Sequence, residues 1–348
     1  MDNVYEHSVF SSDFPSPNNP FILLPPTTAG VTSARPMALG NCSAPVTFVL
    51  SGLTDGPQLR IPLFLVFLAT YITTLLMNLG MIALINIDLR LQTPMYFFLQ
   101  NLAFMDAVYS TVVTPRMLMT FWVEMKAISY AACVTQYFSF ILLIISECLL
   151  LAAMAYDRYV AICKPLLYTL IMSKRTCWSL VKGSYLWGLL NSVIHTGGLL
   201  KLTFCASNLV NHFFCDIVPL FQISSSGTAL NELLVFTLGS LVEMSSITTT
   251  FISYVLIIQT VLRTRSKGRK SKAFSTCASH LVTVTLFHGT IAFMYFRPAT
   301  SYLLGTDKLV SLFYTVAIPL LNPLIYSWRN REVKDALCRA IATRTLLH

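Results

Sequence analysis

The chain has 348 residues, of which 55% are hydrophobic and only 11% are charged, and its mean hydropathy is +0.66. Because soluble domains carry about 25% charged residues, this composition excludes an ordinary soluble protein and requires most of the chain to lie in lipid. The net charge of +9 does not indicate a nucleic-acid partner, since the basic residues lie between apolar runs, where they report membrane topology. The nine cysteines show no CxxC pair and no Cys/His metal spacing, so neither a secreted disulfide framework nor a zinc site is expected.

The N-terminal part is polar. Residues 1–36 are rich in proline, which predicts a disordered extension. Their apolar patch, 21–24, is too short to cross a bilayer, and no basic segment precedes it, so a cleaved signal peptide is not expected. Residues 37–61 are expected to form an extracellular N-terminus, with Met37 as an alternative start. Asn41 opens an Asn-Cys-Ser sequon and is a candidate site of N-glycosylation.

Seven apolar runs follow, each close to the ~20 residues that a helix needs to span a bilayer. Backbone polar groups in lipid must be paired within each segment, so the runs are predicted to be helices. The predicted fold class is an all-α membrane protein, a seven-transmembrane helix bundle over residues 62–327. Lys182 weakens the fourth run, and Glu243 weakens the fifth. The predicted spans are 62–85, 94–117, 134–157, 178–200, 231–260, 275–296 and 309–327.

Basic residues between the runs set the predicted orientation. Fifteen lysines and arginines fall in the loops and tail of one side, against seven on the other. Since these residues favour the cytoplasm, we expect an extracellular N-terminus and a cytoplasmic C-terminus in the cell membrane. The tail, 328–348, is predicted to contain an amphipathic helix on the inner leaflet. Its apolar residues at helical spacing are Val333, Ala336, Leu337, Ala340 and Ile341.

An Asp-Arg-Tyr triplet stands where the third run meets water. Charge at the bilayer centre is expensive, so the triplet should face an aqueous side. The string around it, 154–163, resembles the end of the third helix of rhodopsin-like G-protein-coupled receptors, and specifically of odorant receptors. For the triplet alone, an ion pair without a signalling role is the alternative. Four further blocks match that family in order and spacing, at 94–99, 253–254, 272–281 and 319–327.

The resemblance implies an odorant receptor. In that family a small, volatile or mostly hydrophobic odorant binds between helices three, five, six and seven, and a heterotrimeric G-protein of the stimulatory olfactory type then raises cyclic AMP. Membrane lipids are expected partners, nucleic acid is not, and no cofactor is expected apart from a sodium ion discussed below. The alternatives are a non-olfactory chemosensory receptor and a membrane transporter. No HExxH or Gly-x-Ser-x-Gly motif occurs, so an enzyme is not expected.

By resemblance, residues near one end of the helices couple ligand binding to the G-protein. Asn322 and Pro323 interrupt the seventh helix, because proline removes a backbone hydrogen bond, and they are expected to form a hinge. A static kink is the alternative. The implied coupling residues are Asp157, Arg158, Tyr159, Tyr254, His280, Asn322, Pro323 and Tyr326.

Two cysteines match the family's disulfide. Cys133 lies at the outer end of the third helix and Cys215 in the loop after the fourth, on the oxidising side where a disulfide persists. The family usually has a second bridge within that loop. Cys205 matches its first half, but Ser225 occupies the place of the second, so Cys205 is expected to be an unpaired thiol.

The ligand pocket is placed by resemblance and helix phase. Its wall is almost wholly apolar, which suits small hydrophobic ligands, although part of the set can serve helix packing alone. At His288 the family usually has Tyr, and two interpretations remain open: a pH-sensitive response, or a neutral, hydrogen-bonded side chain. The predicted pocket residues are Phe140, Ile141, Ile144, Ile145, Leu238, Val242, His288, Ile291, Ala292, Tyr295, Leu312 and Thr315.

Acids deep inside spans are functional candidates, because charge within a membrane is costly. Asp106 and Glu147 match family positions that lie close together and hold a sodium ion in one interpretation. In the other, they are protonated carboxyls bonded to their neighbours. Glu243 matches no motif, and it either lines the pocket or only hydrogen-bonds to Ser245 and Ser246.

Overall fold

A computed structural model describes residues 47–54, 56–123, 126–205, 207–264, 267–296, 304–328 and 331–345. Within these ranges the predicted all-α bundle is confirmed, and Asn41 and the predicted extension 1–36 lie outside them. Seven long helices form the bundle and an eighth follows. They are α1 (Pro57–Ile87), α2 (Pro94–Trp122), α3 (Tyr130–Cys163), α4 (Lys174–Leu199), α5 (Ala229–Arg263), α6 (Lys267–Tyr295), α7 in three consecutive segments (Leu304–Leu312, the π-helical Phe313–Ala317 and Ile318–Trp328) and α8 (Arg331–Thr345).

Local signals outside the apolar runs begin several helices. Proline occupies the first turn of α2, where its missing N–H costs nothing. Ser129 caps α3 by accepting a hydrogen bond from the Ala132 amide at 3.2 Å, and Ser173 caps α4 by accepting from the Thr176 amide at 3.3 Å. The helices therefore extend past the predicted spans, because an apolar run reports only the part of a helix that lies in hydrocarbon.

Five stretches in the described ranges are by themselves long and apolar enough to cross a membrane, and they lie in α1, α3, α5, α6 and α7. The sequence led us to expect weak signals from the fourth and fifth runs. The α4 helix does not reach the required hydropathy, as expected, whereas α5 does. The α2 helix also does not reach it, which was not expected. The α2 helix carries Asp106 and Arg116, and α4 carries Lys182. Packing against the other helices of the bundle holds α2 and α4 in the membrane.

The α3 helix is the centre of the bundle. In its most apolar window 78% of the residues are buried, against 6% for α1. It packs against α2, α4, α5 and α6. Exposed apolar side chains lie on the outer helices, for example Leu76 on α1, Leu186 on α4 and Phe251 on α5. The protein is therefore built to be surrounded by lipid, with α3 shielded from it.

Small polar side chains join neighbouring helices inside the bundle. The Ser192 hydroxyl of α4 donates to the Phe138 carbonyl of α3 at 2.6 Å. The Asn78 amide of α1 donates to the Pro319 carbonyl of α7 at 3.0 Å. Such contacts fix helix pairs where no hydrophobic effect acts between them, because lipid tails are as apolar as the side chains.

A small sheet covers one end of the bundle, hereafter the sheet end. Its strands are β1 (Thr47–Leu50), β2 (Ala127–Ser129) and β3 (Leu209–Val210), in the order β2-β1-β3. The β1 strand pairs antiparallel with β2 and parallel with β3. The sheet thus ties the chain before α1 to the loop before α3 and to the loop after α4.

At the opposite end, α8 is docked onto the bundle. Arg339 donates from Nε and Nη2 to Oδ2 of Asp88 at 3.0 and 2.5 Å, and this hydrogen bond lowers the pKa of Asp88. The Tyr96 hydroxyl donates to Glu332 at 2.8 Å. Val333 on the same helix is buried against the bundle core.

Gly188 allows α3 and α4 to approach closely. A Cβ built there would lie 2.6 Å from the Leu142 carbonyl oxygen and nearer still to the Ser146 hydroxyl, whereas a Cβ at Gly183 would meet nothing within 4 Å. We expect Gly188→Ala to cost about 1–3 kcal/mol of stability through overpacking. The readouts are the melting temperature of the purified protein and its amount at the cell surface.

The matched control is Gly183→Ala on the same helix. It removes a flexible glycine without a clash and should be neutral or stabilising by up to about 1 kcal/mol. Equal melting temperatures for the two variants would contradict the close approach of α3 to α4.

Candidate functional site

A cavity lies between α3, α4, α5 and α6. Most of its wall is aliphatic or aromatic, and its polar or ionisable members are Glu243, Cys148, His195 and Tyr295. Seven of the residues that the sequence placed in a pocket line it. The lining residues are Phe140, Ile141, Ile144, Ile145, Cys148, His195, Ile217, Val235, Gly239, Val242, Glu243, Ile291, Tyr295 and Phe296.

The cavity lining includes none of the described residues of α7, although the sequence placed Leu312 and Thr315 in the pocket. Aromatic rings lie on that side of the cavity instead. The Phe140 ring centroid lies 6.0 Å from that of Tyr314 and 5.5 Å from that of Phe214. The Thr315 hydroxyl is buried and donates to a carbonyl within α7.

The remaining predicted pocket residues take two other positions. Leu238 on α5 and Ala292 on α6 are half-buried and lie outside the lining. His288 stands behind the wall, with its Nδ1 atom 3.0 Å from the carboxylate of Glu243, which does line the cavity. Helix phase placed Phe140, Ile141, Ile144 and Ile145 of α3 on one face, and these residues line the cavity, but it could not rank positions on α5 and α6.

The loop after α4 closes the sheet end of the cavity. The predicted disulfide joins Cys133 to Cys215, and the Cys215 amide donates to Oε1 of Gln136 at 2.9 Å. Asp216 follows directly and accepts from the Tyr295 hydroxyl at 2.9 and 3.0 Å. Burial raises the pKa of Asp216 to about 6. The loop is thus anchored to α3 covalently and to α6 by hydrogen bonds.

The prediction for Cys205 is wrong, because Cys205 is disulfide-bonded. The partner that the family's second bridge would use lies in the same loop, and Ser225 occupies its place in this chain. A disulfide joins segments that are near in space, whatever their separation in sequence. In the structure the Cys205 amide donates to the Ser225 hydroxyl at 2.9 Å.

A buried polar cluster forms the floor of the cavity. The Cys148 thiol donates to Oε2 of Glu243 at 3.4 Å, while Oε1 faces His288. Ser246 donates to the Cys148 carbonyl at 2.7 Å, and Ser245 donates to the Val242 carbonyl at 2.8 Å. Glu243 and His288 are separate candidates in the sequence, and nothing in their spacing joins them to Cys148.

A second acidic site lies between α2, α3 and α7. The Asn322 amide donates to both carboxylate oxygens of Asp106, at 3.2 and 3.0 Å. Oε1 of Glu147 is buried and has no hydrogen-bond partner among the described residues. The two carboxyl groups interact electrostatically, so the predicted pair is brought together.

The predicted coupling residues gather at the end opposite the sheet. Arg158 is buried, and Asp157 beside it accepts from the Tyr168 hydroxyl at 2.9 Å. The Tyr254 hydroxyl and Nδ1 of His280 lie 2.8 Å apart and join α5 to α6. Arg158 lies within electrostatic range of residues from other helices, among them Tyr254, His280 and Tyr326. The other members are Tyr159, which is half-buried, and Pro323, which is buried in α7.

Seven helices, of which the third is buried among the others, and a disulfide-anchored loop over a cavity define a seven-helix membrane protein. Among solved structures the fold is similar to the crystal structure of squid rhodopsin, with a TM-score of 0.60 and 18% sequence identity, covering 83% of this chain and 87% of that chain. At this identity the likeness shows the fold.

The family follows from closer relatives. A model of the olfactory receptor family matches residues 67–344. The chain is 70% identical over 312 residues to "Olfactory receptor-like protein COR6" of Gallus gallus, covering 90% of this chain and all of the relative. It is 49% identical to "Olfactory receptor 8U1" of Homo sapiens, covering 88% and 100%. The chain belongs to the olfactory receptor family of G-protein-coupled receptors, which confirms the predicted family and makes it a receptor, not an enzyme.

The raised pKa of Asp216 predicts a pH-dependent stability. The folded state holds this proton up to about pH 6, whereas an unfolded aspartate loses it near ~3.9. The folded state therefore binds more protons in this window, and the Asp216 contribution to stability falls by on the order of 2 kcal/mol as pH rises from about 4 to about 6. We expect the melting temperature of Asp216→Asn, relative to the wild type, to rise across that window and to stay level above it.

Proposed function

We propose that this receptor binds a small, mostly hydrophobic odorant in the cavity between α3, α4, α5 and α6. The observation that carries the proposal is the wall itself, which presents aliphatic side chains from three helices, including Ile144, Val242 and Ile291. One acidic group, Glu243, stands among them. Apolar pockets with a few polar groups favour small hydrophobic ligands and use the polar group for orientation.

A ligand bound in this cavity can change how α3, α5 and α6 are arranged relative to one another. The ligand touches α3, α5 and α6 at once, and the same three helices meet again around Arg158, Tyr254 and His280. An odorant that fits the active arrangement better shifts the population toward it by its difference in affinity. We infer that the helices then separate around Arg158 and Tyr326, with Asn322 and Pro323 as the hinge.

The partner that we propose is a heterotrimeric G-protein of the stimulatory olfactory type, which raises cyclic AMP. The Arg158 end would face the cytoplasm and the sheet end the outside, as the distribution of basic residues favours. In this orientation Asn41 is available for glycosylation, and α8 lies along the inner leaflet. Six basic residues between positions 263 and 272 would contact the G-protein and anionic lipids.

We further propose that Asp106 and Glu147 hold a sodium ion. One of these two buried carboxyl groups accepts from Asn322, and the other has an oxygen without a described hydrogen-bond partner, so together they form an oxygen-rich site for a small cation. Replacing choline chloride by sodium chloride should raise the melting temperature of the wild type and leave Asp106→Asn unchanged. An equal response of both proteins would refute the site.

The orientation can be tested with single cysteines in a Cys338→Ser background. Leu166 lies beside the Arg158 end and is 95% exposed, whereas Leu209 lies in β3 at the sheet end and is 52% exposed. An impermeant thiol reagent should label Leu209→Cys on intact cells and Leu166→Cys only after permeabilisation. The reverse pattern would invert the topology and remove the G-protein from the Arg158 end.

The ligand site can be tested with two adjacent residues of α5. Val242 lines the cavity and is buried, whereas Leu241 points away and is 56% exposed. Val242→Phe fills the cavity and should raise the odorant concentration for half-maximal cyclic AMP at least ~10-fold, equivalent to about 1.4 kcal/mol of binding. Leu241→Phe places the same side chain on the outer face and should leave the response unchanged.

An active odorant is first found by screening a panel with a cyclic-AMP reporter, and surface amounts are matched between the variants. Equal sensitivity of Val242→Phe and the wild type would place the odorant outside this cavity. A response without cyclic AMP would keep the cavity and exclude the proposed G-protein.

A further inference from the structure

The floor of the cavity brings together three side chains that are common transition-metal ligands. Cys148 of α3, Glu243 of α5 and His288 of α6 are all buried, and their ligand atoms lie within 4.8 Å of one another. Cys148 and Glu243 also line the cavity. The three come from different helices, so the cluster exists only in the assembled bundle.

The hydrogen bonds around His288 determine which of its nitrogens carries a proton. A serine hydroxyl has one proton to donate, and Ser246 gives it to the Cys148 carbonyl at 2.7 Å. The Nε2 atom of His288 lies 3.2 Å from the Ser246 oxygen and must therefore be the donor in that contact. In a neutral imidazole this leaves Nδ1 with a lone pair.

That lone pair points at an acceptor. Nδ1 of His288 lies 3.0 Å from Oε1 of Glu243, so an unprotonated nitrogen and a carboxylate oxygen face each other in a buried place. Such a contact is repulsive unless a cation lies between or beside the two atoms. The cation is either a proton, which makes an imidazolium–carboxylate pair, or a metal ion bound by both groups.

We propose that Cys148, Glu243 and His288 bind Zn²⁺ at the floor of the odorant cavity. The third ligand decides between the two cations, because a proton between Glu243 and His288 has no need of a thiol. A thiolate, an imidazole and a carboxylate together form a ligand set that zinc accepts. Zinc binding displaces the thiol proton to solvent, and the charges of Zn²⁺, one thiolate and one carboxylate then sum to zero.

The ligand distances are close to those that this ion requires, with the contact to His288 shorter than the ideal spacing. Ligand bonds of about 2.0–2.3 Å in a tetrahedron place ligand atoms roughly 3.3–3.6 Å apart. Oε2 of Glu243 lies 3.4 Å from the Cys148 sulfur, and Oε1 lies 3.0 Å from His288. Ser246 acts as a positioning residue, since it holds the imidazole through the nitrogen that does not face the site, as outer-shell partners of zinc ligands do.

Three protein ligands leave a fourth position open, as in catalytic zinc sites. Two of the three ligands border the cavity, so the open position lies on the cavity side. This part of the inference rests on the proposed function: an odorant with a metal-coordinating head group, such as an amine or a carboxylate, would take that position while its hydrocarbon part packs against Ile144 and Val242.

The metal itself is tested without odorant or G-protein. The full chain is purified in lipid nanodiscs with a tag that lacks histidine, freed of metal, and titrated with Co²⁺ as a spectroscopic substitute for zinc. We expect a thiolate-to-cobalt charge-transfer band that saturates at one ion per receptor and disappears on addition of Zn²⁺. Cys148→Ser should lose the band, and Ser246→Ala should keep it with roughly 10–100-fold weaker affinity.

The matched control is Cys177→Ser, which removes another buried free cysteine and should leave the band unchanged. A second measurement needs no variant. Zn²⁺ should slow alkylation of Cys148 in the wild type but not that of the exposed Cys338, as followed by mass spectrometry. Absence of the band in the folded wild type, its persistence in Cys148→Ser, or equal alkylation rates with and without Zn²⁺ would overturn the metal site and favour the proton.

A final arm separates this inference from the proposed function. If Co²⁺ binds as described and no odorant raises cyclic AMP, the metal site stands and the proposed function fails. If odorants activate the wild type and amines or carboxylates lose their advantage in Cys148→Ser while hydrocarbons do not, both stand.

Discussion

The burial of α3 is the constraint on which the rest of the structure depends. This helix runs for 34 residues, which is about 50 Å at 1.5 Å per residue. Its first turn carries the disulfide to the loop, its middle lines the cavity, and its last turns carry Arg158. A rod that is enclosed over most of its length cannot tilt without moving α4, α5 or α6, because close-packed interiors deform in steps. The proposed ligand and coupling sites are therefore joined by one element.

The polar groups of α3 have a cost that the bundle must offset. Glu147, Asp157 and Arg158 are all buried, and each would be unfavourable facing lipid. Other segments supply part of the compensation, since Tyr168 donates to Asp157 and Asn322 donates to Asp106, which interacts with Glu147. The arrangement makes α3 a helix that is stable only inside this bundle. It also explains why Gly188 is needed, because α4 must come close enough to shield it.

How far the sequence predicts this structure depends on the range of each interaction. The seven-helix fold and the Cys133–Cys215 disulfide follow from hydropathy and from family blocks, and the structure confirms both. Helix phase also groups the α3 residues that line the cavity, because 3.6-residue periodicity is a local property. The cavity wall on the α7 side could not be predicted in this way, because the rings of Phe140, Phe214 and Tyr314 meet there from three separate segments. The error on Cys205 has the same origin, because a disulfide partner is a matter of position in space.

The cluster of Cys148, Glu243 and His288 shows the same limit more sharply. A metal motif is readable from sequence when its ligands share one helix or loop, and these three are separated by 95 and 45 positions along the chain.

The three residues of this cluster come from the three helices that also meet at Arg158. A group that binds all three, whether an ion alone or an ion with an odorant head group, gains most in the arrangement that holds them at their shortest spacing. Its binding free energy then differs between the two helix arrangements, and this difference is what shifts the population from one to the other. The binding free energy of a purely apolar ligand depends less on the helix arrangement, because dispersion contacts are small individually and lack direction. The floor of the cavity is thus better placed than its walls to convert binding into movement of α5 and α6 against α3.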